Sequence, residues 1–117
     1  MGKNVKVVAL VGAGLAAVLL LGAGSPNTSS AEARALVKQG ALLLDVRTLG
    51  EYSERHLEGA VNVPLQALEV GAPLDASKKD QEVVIYCRSG HRSAKAAALL
   101  KSAGFTKVHD LGAMSNW

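Results

Sequence analysis

Two short apolar runs limit what this chain can fold into: ALLLDV at residues 41–46 and EVVIYC at residues 82–87. Each is too short for a buried helix. Neither shows the apolar–polar alternation of a strand with one wet face, so both read as strands covered on both sides. After the second run, SAKAAALLKSAG sets Ala96, Leu99, Leu100 and Ala103 at the i, i+3, i+4, i+7 spacing of a helix. Lys101 falls in its last turn and Gly104 just past its end. Upstream, Ser29-Ser30-Ala31-Glu32 fits a capping box and Gly40 stands at the C′ position, which predicts a short helix over 30–39. Thr48-Leu49-Gly50-Glu51 is a second capping box, opening a helical turn through about Arg55. AVNVPL at 60–65 reads as a strand stopped by Pro64, a helix is expected near 66–70, and TKVHDL at 106–111 reads as the last strand. This order implies an α/β domain with a small, mainly parallel sheet of four to five strands and helices on both faces.

The chain has 117 residues, enough for one small domain. Lys3 and Lys6 precede the uncharged run VVALVGAGLAAVLLL at residues 7–21, and the small residues GAGSPNTSS follow. That is the order of a secretory signal peptide cut near residue 24, which leaves 25–117 as the domain. The competing reading is an uncleaved anchor, because the apolar run extends through Gly24 to 18 residues, near the lower limit for a bilayer span. Either reading puts the domain outside the cytoplasm: in the periplasm of a two-membrane bacterium, or tethered to the inner membrane and facing the periplasm. Membrane contact is expected only if the leader stays. From residue 25 onward eleven basic side chains face ten acidic ones, so the formal charge of +3 reflects the leader. A near-neutral domain with four aromatic residues offers no footprint for nucleic acid. One cysteine, and histidines at 56, 91 and 109 without ligand spacing, argue against a disulfide or a metal site, and no cofactor is called for.

The lone cysteine opens the loop Cys87-Arg88-Ser89-Gly90-His91-Arg92-Ser93, which joins a buried strand to a helix start. Ligands of open α/β sheets sit at the carboxyl ends of strands, and amides curling into a helix N-terminus make an anion cradle. The helix end, Arg88 and Arg92 each favour thiolate over thiol at Cys87, and the thiolate is the nucleophile. Gly90 lets the backbone curve inward. The alternative is a buried structural cysteine, but two arginines within five residues make that reading expensive. Arg92 is the fifth residue after Cys87. Cysteine-dependent phosphatases place their arginine sixth, and here the sixth residue is Ser93. The smaller ring suits a single sulfur atom on the cysteine.

LLLDVRTLGEYSERHLEGAVNVPL, VVIYCRSGHRSAKAAALLKSAGF and KVHDLGAMSNW resemble the rhodanese homology domain in order and spacing over about residues 30–117. With the leader, the chain is similar to small exported rhodaneses. The resemblance implies a thiosulfate-type sulfurtransferase. Cys87 takes a sulfur from an anionic donor, becomes a persulfide, and passes the sulfur to a thiophilic acceptor such as cyanide or a thiol. It also implies that Arg88, Ser89, Gly90, His91 and Arg92 surround the donor with Ser93 in support. Asp45 would hold the loop, and Arg47 would lie near the site mouth. His56 and His109 read as structural and Glu51 as a cap. The alternative is a sulfur-carrier or regulatory module without turnover. A redox or arsenate-reducing enzyme would want a longer loop or a second cysteine. The family often has a strand before the opening helix, which SPNTSSAEA does not offer, and the stop at Trp117 leads us to expect a poorly packed last element.

Overall fold

The computed structural model describes residues 27–71 and 74–117. The leader expected at residues 1–24 lies outside them. Helix α1 (Ser30–Lys38) starts on the expected capping box: Ser29 Oγ accepts from Glu32 N–H, and the Glu32 carboxylate takes the Ser29 N–H. Strand β1 (Leu42–Asp45) follows, then α2 (Leu49–Glu54), β2 (Val61–Asn62) and α3 (Leu65–Glu69). β3 (Val83–Cys87), α4 (His91–Ser102) and β4 (Val108–Ala113) complete the fold, with single 3-10 turns at Ala76–Lys78 and Met114–Asn116.

The sheet order is β2-β1-β3-β4, and every pairing is parallel. Four strands form, the lower of the expected numbers. Ahead of α1 no strand forms among the described residues; a single main-chain bond, Thr28 N–H to Asp110 O at 2.9 Å, ties that stretch to β4. The second strand is shorter than AVNVPL suggested. Beyond Asn62 the chain turns into Pro64, which has no N–H to give a ladder and instead serves as the N-cap of α3.

Because side chains alternate across a strand, β3 feeds two cores. Val83, Ile85 and Cys87 point to the side packed by Leu65 and Leu68 of α3 and Ala96, Ala97 and Leu100 of α4. Val84 and Tyr86 point to the side packed by Ala33, Leu36 and Val37 of α1 and Tyr52 of α2. All five β3 residues are buried. Burial of that kind stabilises a side chain by roughly 1.5–3 kcal/mol for a Val or Ile, and the one hydroxyl in the run, that of Tyr86, is hydrogen-bonded.

The chain end packs better than its sequence suggested. Trp117 lies against the α1-side core, Arg34 sits over its ring at 4.7 Å, and Arg34 Nη2 donates to the Trp117 carbonyl at 2.9 Å. Among the described residues no helix is long and apolar enough to cross a membrane.

A charged brace lies under the strand ends. Asp45 and Tyr86 are register partners, so their side chains leave the sheet on the same face. Asp45, fully buried, accepts from Arg47 Nε at 3.0 and 3.1 Å, from Arg47 Nη2 at 2.7 Å and from the Tyr86 hydroxyl. The Tyr86 oxygen in turn accepts the Leu57 N–H at 3.0 Å, and Arg47 Nη2 also reaches the Arg55 carbonyl at 2.6 Å. Burial, reinforced by the Asp45 carboxylate, pushes the Tyr86 phenol well above its ordinary range, so it stays a donor. Tyr86→Phe should strip Leu57 of its acceptor and Asp45 of a donor, and destabilise the fold by about 1–3 kcal/mol. Urea denaturation checks this; an unmoved midpoint would remove the hydroxyl from the brace.

Candidate active site

Between Cys87 at the end of β3 and His91 at the start of α4 only Arg88, Ser89 and Gly90 intervene. Gly90 is the N-cap of α4 and takes φ 104°, a left-handed conformation that side chains with a Cβ rarely adopt. It brings no capping side chain. The cysteine sulfur takes that place: Gly90 N–H points at Sγ at 2.9 Å and Ser93 N–H at 3.3 Å. Ser93 is the third residue of the helix, whose N–H an N-cap oxygen ordinarily accepts. Its own hydroxyl donates to the Gly90 carbonyl at 3.1 Å and closes the loop. Two amides and the positive end of a twelve-residue helix therefore converge on one sulfur, where they stabilise negative charge.

Of the residues expected around the site, Cys87, Gly90 and Ser93 come together at the sulfur. Arg88, Ser89 and His91 are exposed on the loop. Arg92 makes a bidentate pair with Glu51 of α2, Nη1 to Oε1 at 2.7 Å and Nη2 to Oε2 at 3.0 Å. Glu51 is the cap that was expected, accepting Thr48 N–H at 3.0 Å and Thr48 Oγ1 at 3.1 Å, while its own N–H goes to Thr48 Oγ1. Sequence reasoning missed its second role. A cap is a local signal, whereas the contact with Arg92 spans 41 residues. The Arg92 guanidinium, helped by Thr48, holds the Glu51 carboxyl down at about 2. Glu51 in turn raises the pKa of Arg92, against the opposing effect of burial.

Asp45 does not hold the loop. It makes no hydrogen bond to residues 88–92, because alternation sends Asp45 and Tyr86 to one face and Cys87 to the other. It anchors Arg47 instead. Arg47 is only 6 % exposed, yet with Glu51, Arg55, Arg88 and Met114 it borders an open hollow beside the loop. Cys87 is 0 % exposed, so a donor touches its sulfur only when neighbouring atoms give way. His56 hydrogen-bonds the Tyr52 carbonyl through Nδ1 at 2.9 Å and stacks on the Tyr52 ring; His109 pairs with Glu82 at 2.6 Å. Among the described residues no three His, Cys, Asp or Glu side chains gather as a metal set.

The sequence of residues 29–117 matches the family model described as Rhodanese-like domain. The chain belongs to the rhodanese-like sulfurtransferase family. It is 30% identical over 73 residues to the thiosulfate sulfurtransferase PspE of Escherichia coli, covering 62% of this chain and 70% of that protein. It is also 30% identical over 109 residues to the human thiosulfate:glutathione sulfurtransferase, covering 81% of this chain and 95% of that one. Among solved structures, the human single-domain sulfurtransferase TSTD1 superposes with a TM-score of 0.66 at 28% identity, over 79% of this chain and 91% of that one.

The Arg92–Glu51 pair gives the site a pH signature. Glu51 has a folded value near 2, against an ordinary 4.5. A depressed carboxylate contributes stability that is complete above its ordinary value and is lost as pH falls through its folded one. The stability gap between the wild type and Glu51→Gln should therefore be constant above about pH 5.5 and close between about pH 4.5 and 2. Denaturation midpoints of both proteins across that range test this; a gap that did not narrow would place the stabilisation elsewhere.

Proposed function

We propose that this chain is a thiosulfate-type sulfurtransferase working through a persulfide on Cys87. What carries the reading is the cysteine sulfur held by the Gly90 and Ser93 amides at the mouth of α4. The Cys87 thiolate attacks the outer sulfur of the donor. A new S–S bond forms, the bond to the sulfite sulfur breaks, and sulfite departs with the electron pair. The outer sulfur, now terminal on Cys87, carries the negative charge, which the loop amides and the positive end of α4 stabilise. A thiophilic acceptor, cyanide or a thiolate, then attacks the terminal sulfur. The bond back to Cys87 breaks and the thiolate is restored.

No step demands a proton from a side chain, which agrees with the structural engagement of His56 and His109. Thiosulfate as donor and a thiol as acceptor are supported by the names of the two enzymes that the chain resembles over most of their lengths. Arg88, Ser89 and His91, exposed on the loop, are the side chains a donor meets first, with Arg47 bordering the adjacent hollow. The leader at residues 1–24 supports an exported domain, periplasmic in a two-membrane bacterium and tethered if the leader is retained.

Intact mass before and after thiosulfate tests the reading on protein expressed with its leader. The expected result is a gain of one sulfur atom, lost again on adding cyanide and absent from Cys87→Ser. A folded wild type that takes up sulfur but returns none to cyanide or thiols would be a sulfur carrier. A folded wild type that takes up none would overturn the mechanism. The starting mass also reports whether residues 1 to about 24 have been removed.

A further inference from the structure

The charges around the loop do not act equally on a donor. Arg47 is matched by Asp45 at 2.7 Å and Arg92 by Glu51 at 2.7 Å, both with several hydrogen bonds. Arg88 and Arg55, which border the hollow together with Glu51 and Glu54, make no ion pair with another described residue. The Glu51 carboxylate is also fixed in place. Oε1 takes the Thr48 N–H and hydroxyl as well as Arg92 Nη1, so the cap of α2 sets the rotamer that receives Arg92.

We propose that Glu51 sets the charge preference of the donor site by cancelling the guanidinium of Arg92, which leaves Arg88 on the loop, with Arg55 on the rim of the same hollow, as the uncompensated cations that meet the donor. The inference rests on the sulfurtransferase reading and refines it. Arg92, which the loop spacing would assign to the donor, becomes a positioning residue that ties the start of α4 to α2. Glu51 is the specificity-determining residue.

The physical consequence depends on donor charge. A unit charge unmasked on the rim of the donor site, at the high effective dielectric of an exposed hollow, changes a dianion's association on the order of tenfold. For a monoanion the same charge acts half as strongly in free energy, so the change is about threefold. Thiosulfate is a dianion, and an aromatic thiosulfonate offers the same transferable sulfur on a monoanion.

The test is the second-order rate constant for persulfide formation with each donor, followed by mass, in wild type, E51Q, R92Q and the double variant. The E51Q side chain keeps an oxygen for the cap bonds while losing the charge. E51Q should raise the thiosulfate constant about tenfold and the thiosulfonate constant about threefold. R92Q, which leaves Glu51 unmatched, should lower them in the same proportion, and the double variant should fall between the singles. The E51Q effect should shrink as salt rises. If R92Q folds poorly, R92K substitutes for it: the charge remains, so the ratio between the two donors should stay near the wild-type ratio. Equal changes for both donors in E51Q would mean that Glu51 acts on access or structure, and would overturn the proposal. So would a double variant as impaired as R92Q, which would mean that Arg92 itself holds the donor. A folded wild type taking sulfur from neither donor would instead fail the sulfurtransferase reading, and this inference would fall with it.

Discussion

The alternation of β3 is the constraint on which the site depends. A strand buried on both faces can carry one chemistry on each, and β3 does so with neighbouring residues. Cys87 faces the α4 side, where the helix start collects its sulfur. Tyr86 faces the α1 side and completes a charged brace with Asp45 and Arg47. A slip of one residue in β3 would exchange the two faces, putting a thiol into the brace and a phenol into the cradle. All five residues of VVIYC are buried, and the ladders to β1 and β4 and the Tyr86 hydrogen bonds support the same register.

The brace is the costlier of the two arrangements. A buried ion pair seldom outperforms an apolar pair of equal volume unless its remaining hydrogen-bonding capacity is satisfied. Here it is met closely. The carboxylate of Asp45 receives Arg47 N–H groups and the Tyr86 hydroxyl, and Arg47 has a further acceptor in the Arg55 carbonyl. Asn62 adds bonds to the Asp45 and Arg47 carbonyls at 3.0 and 2.9 Å. Together these pin the carboxyl end of β1 and the turn after it. That turn leads to Thr48, the N-cap of α2, whose third residue Glu51 is the acceptor of Arg92.

Much of this was legible because local rules set it. Both capping boxes form as the spacing requires, and the buried runs fall where periodicity places them; of the stripe expected for α4, Ala96 and Leu100 are buried, joined by Ala97, whereas Ala103 is exposed at the C-cap. What was not legible depends on contacts between distant residues. The last strand was expected at 106–111 and runs from Val108 to Ala113. Thr106 N–H is taken by the Lys79 carbonyl, and a register shift opposite Ile85 and Tyr86 carries the strand on to Gly112 and Ala113. Trp117 gains its packing from Arg34, 83 residues away. The separation of Asp45 from the loop was implicit in the two alternations. It became readable only once the pairing of Asp45 with Tyr86 fixed which faces coincide.

The sulfur of Cys87 closes the first turn of α4 in the place of an N-cap oxygen. The atom that would pass cargo from donor to acceptor is thus also a keystone of the longest described helix. Each change in what that atom carries alters how the helix begins, and α4 packs directly on β3 and α3. Folding stability and the stage of turnover are therefore linked quantities in this domain. Resistance to heat or urea would then differ between the free and the sulfur-loaded protein.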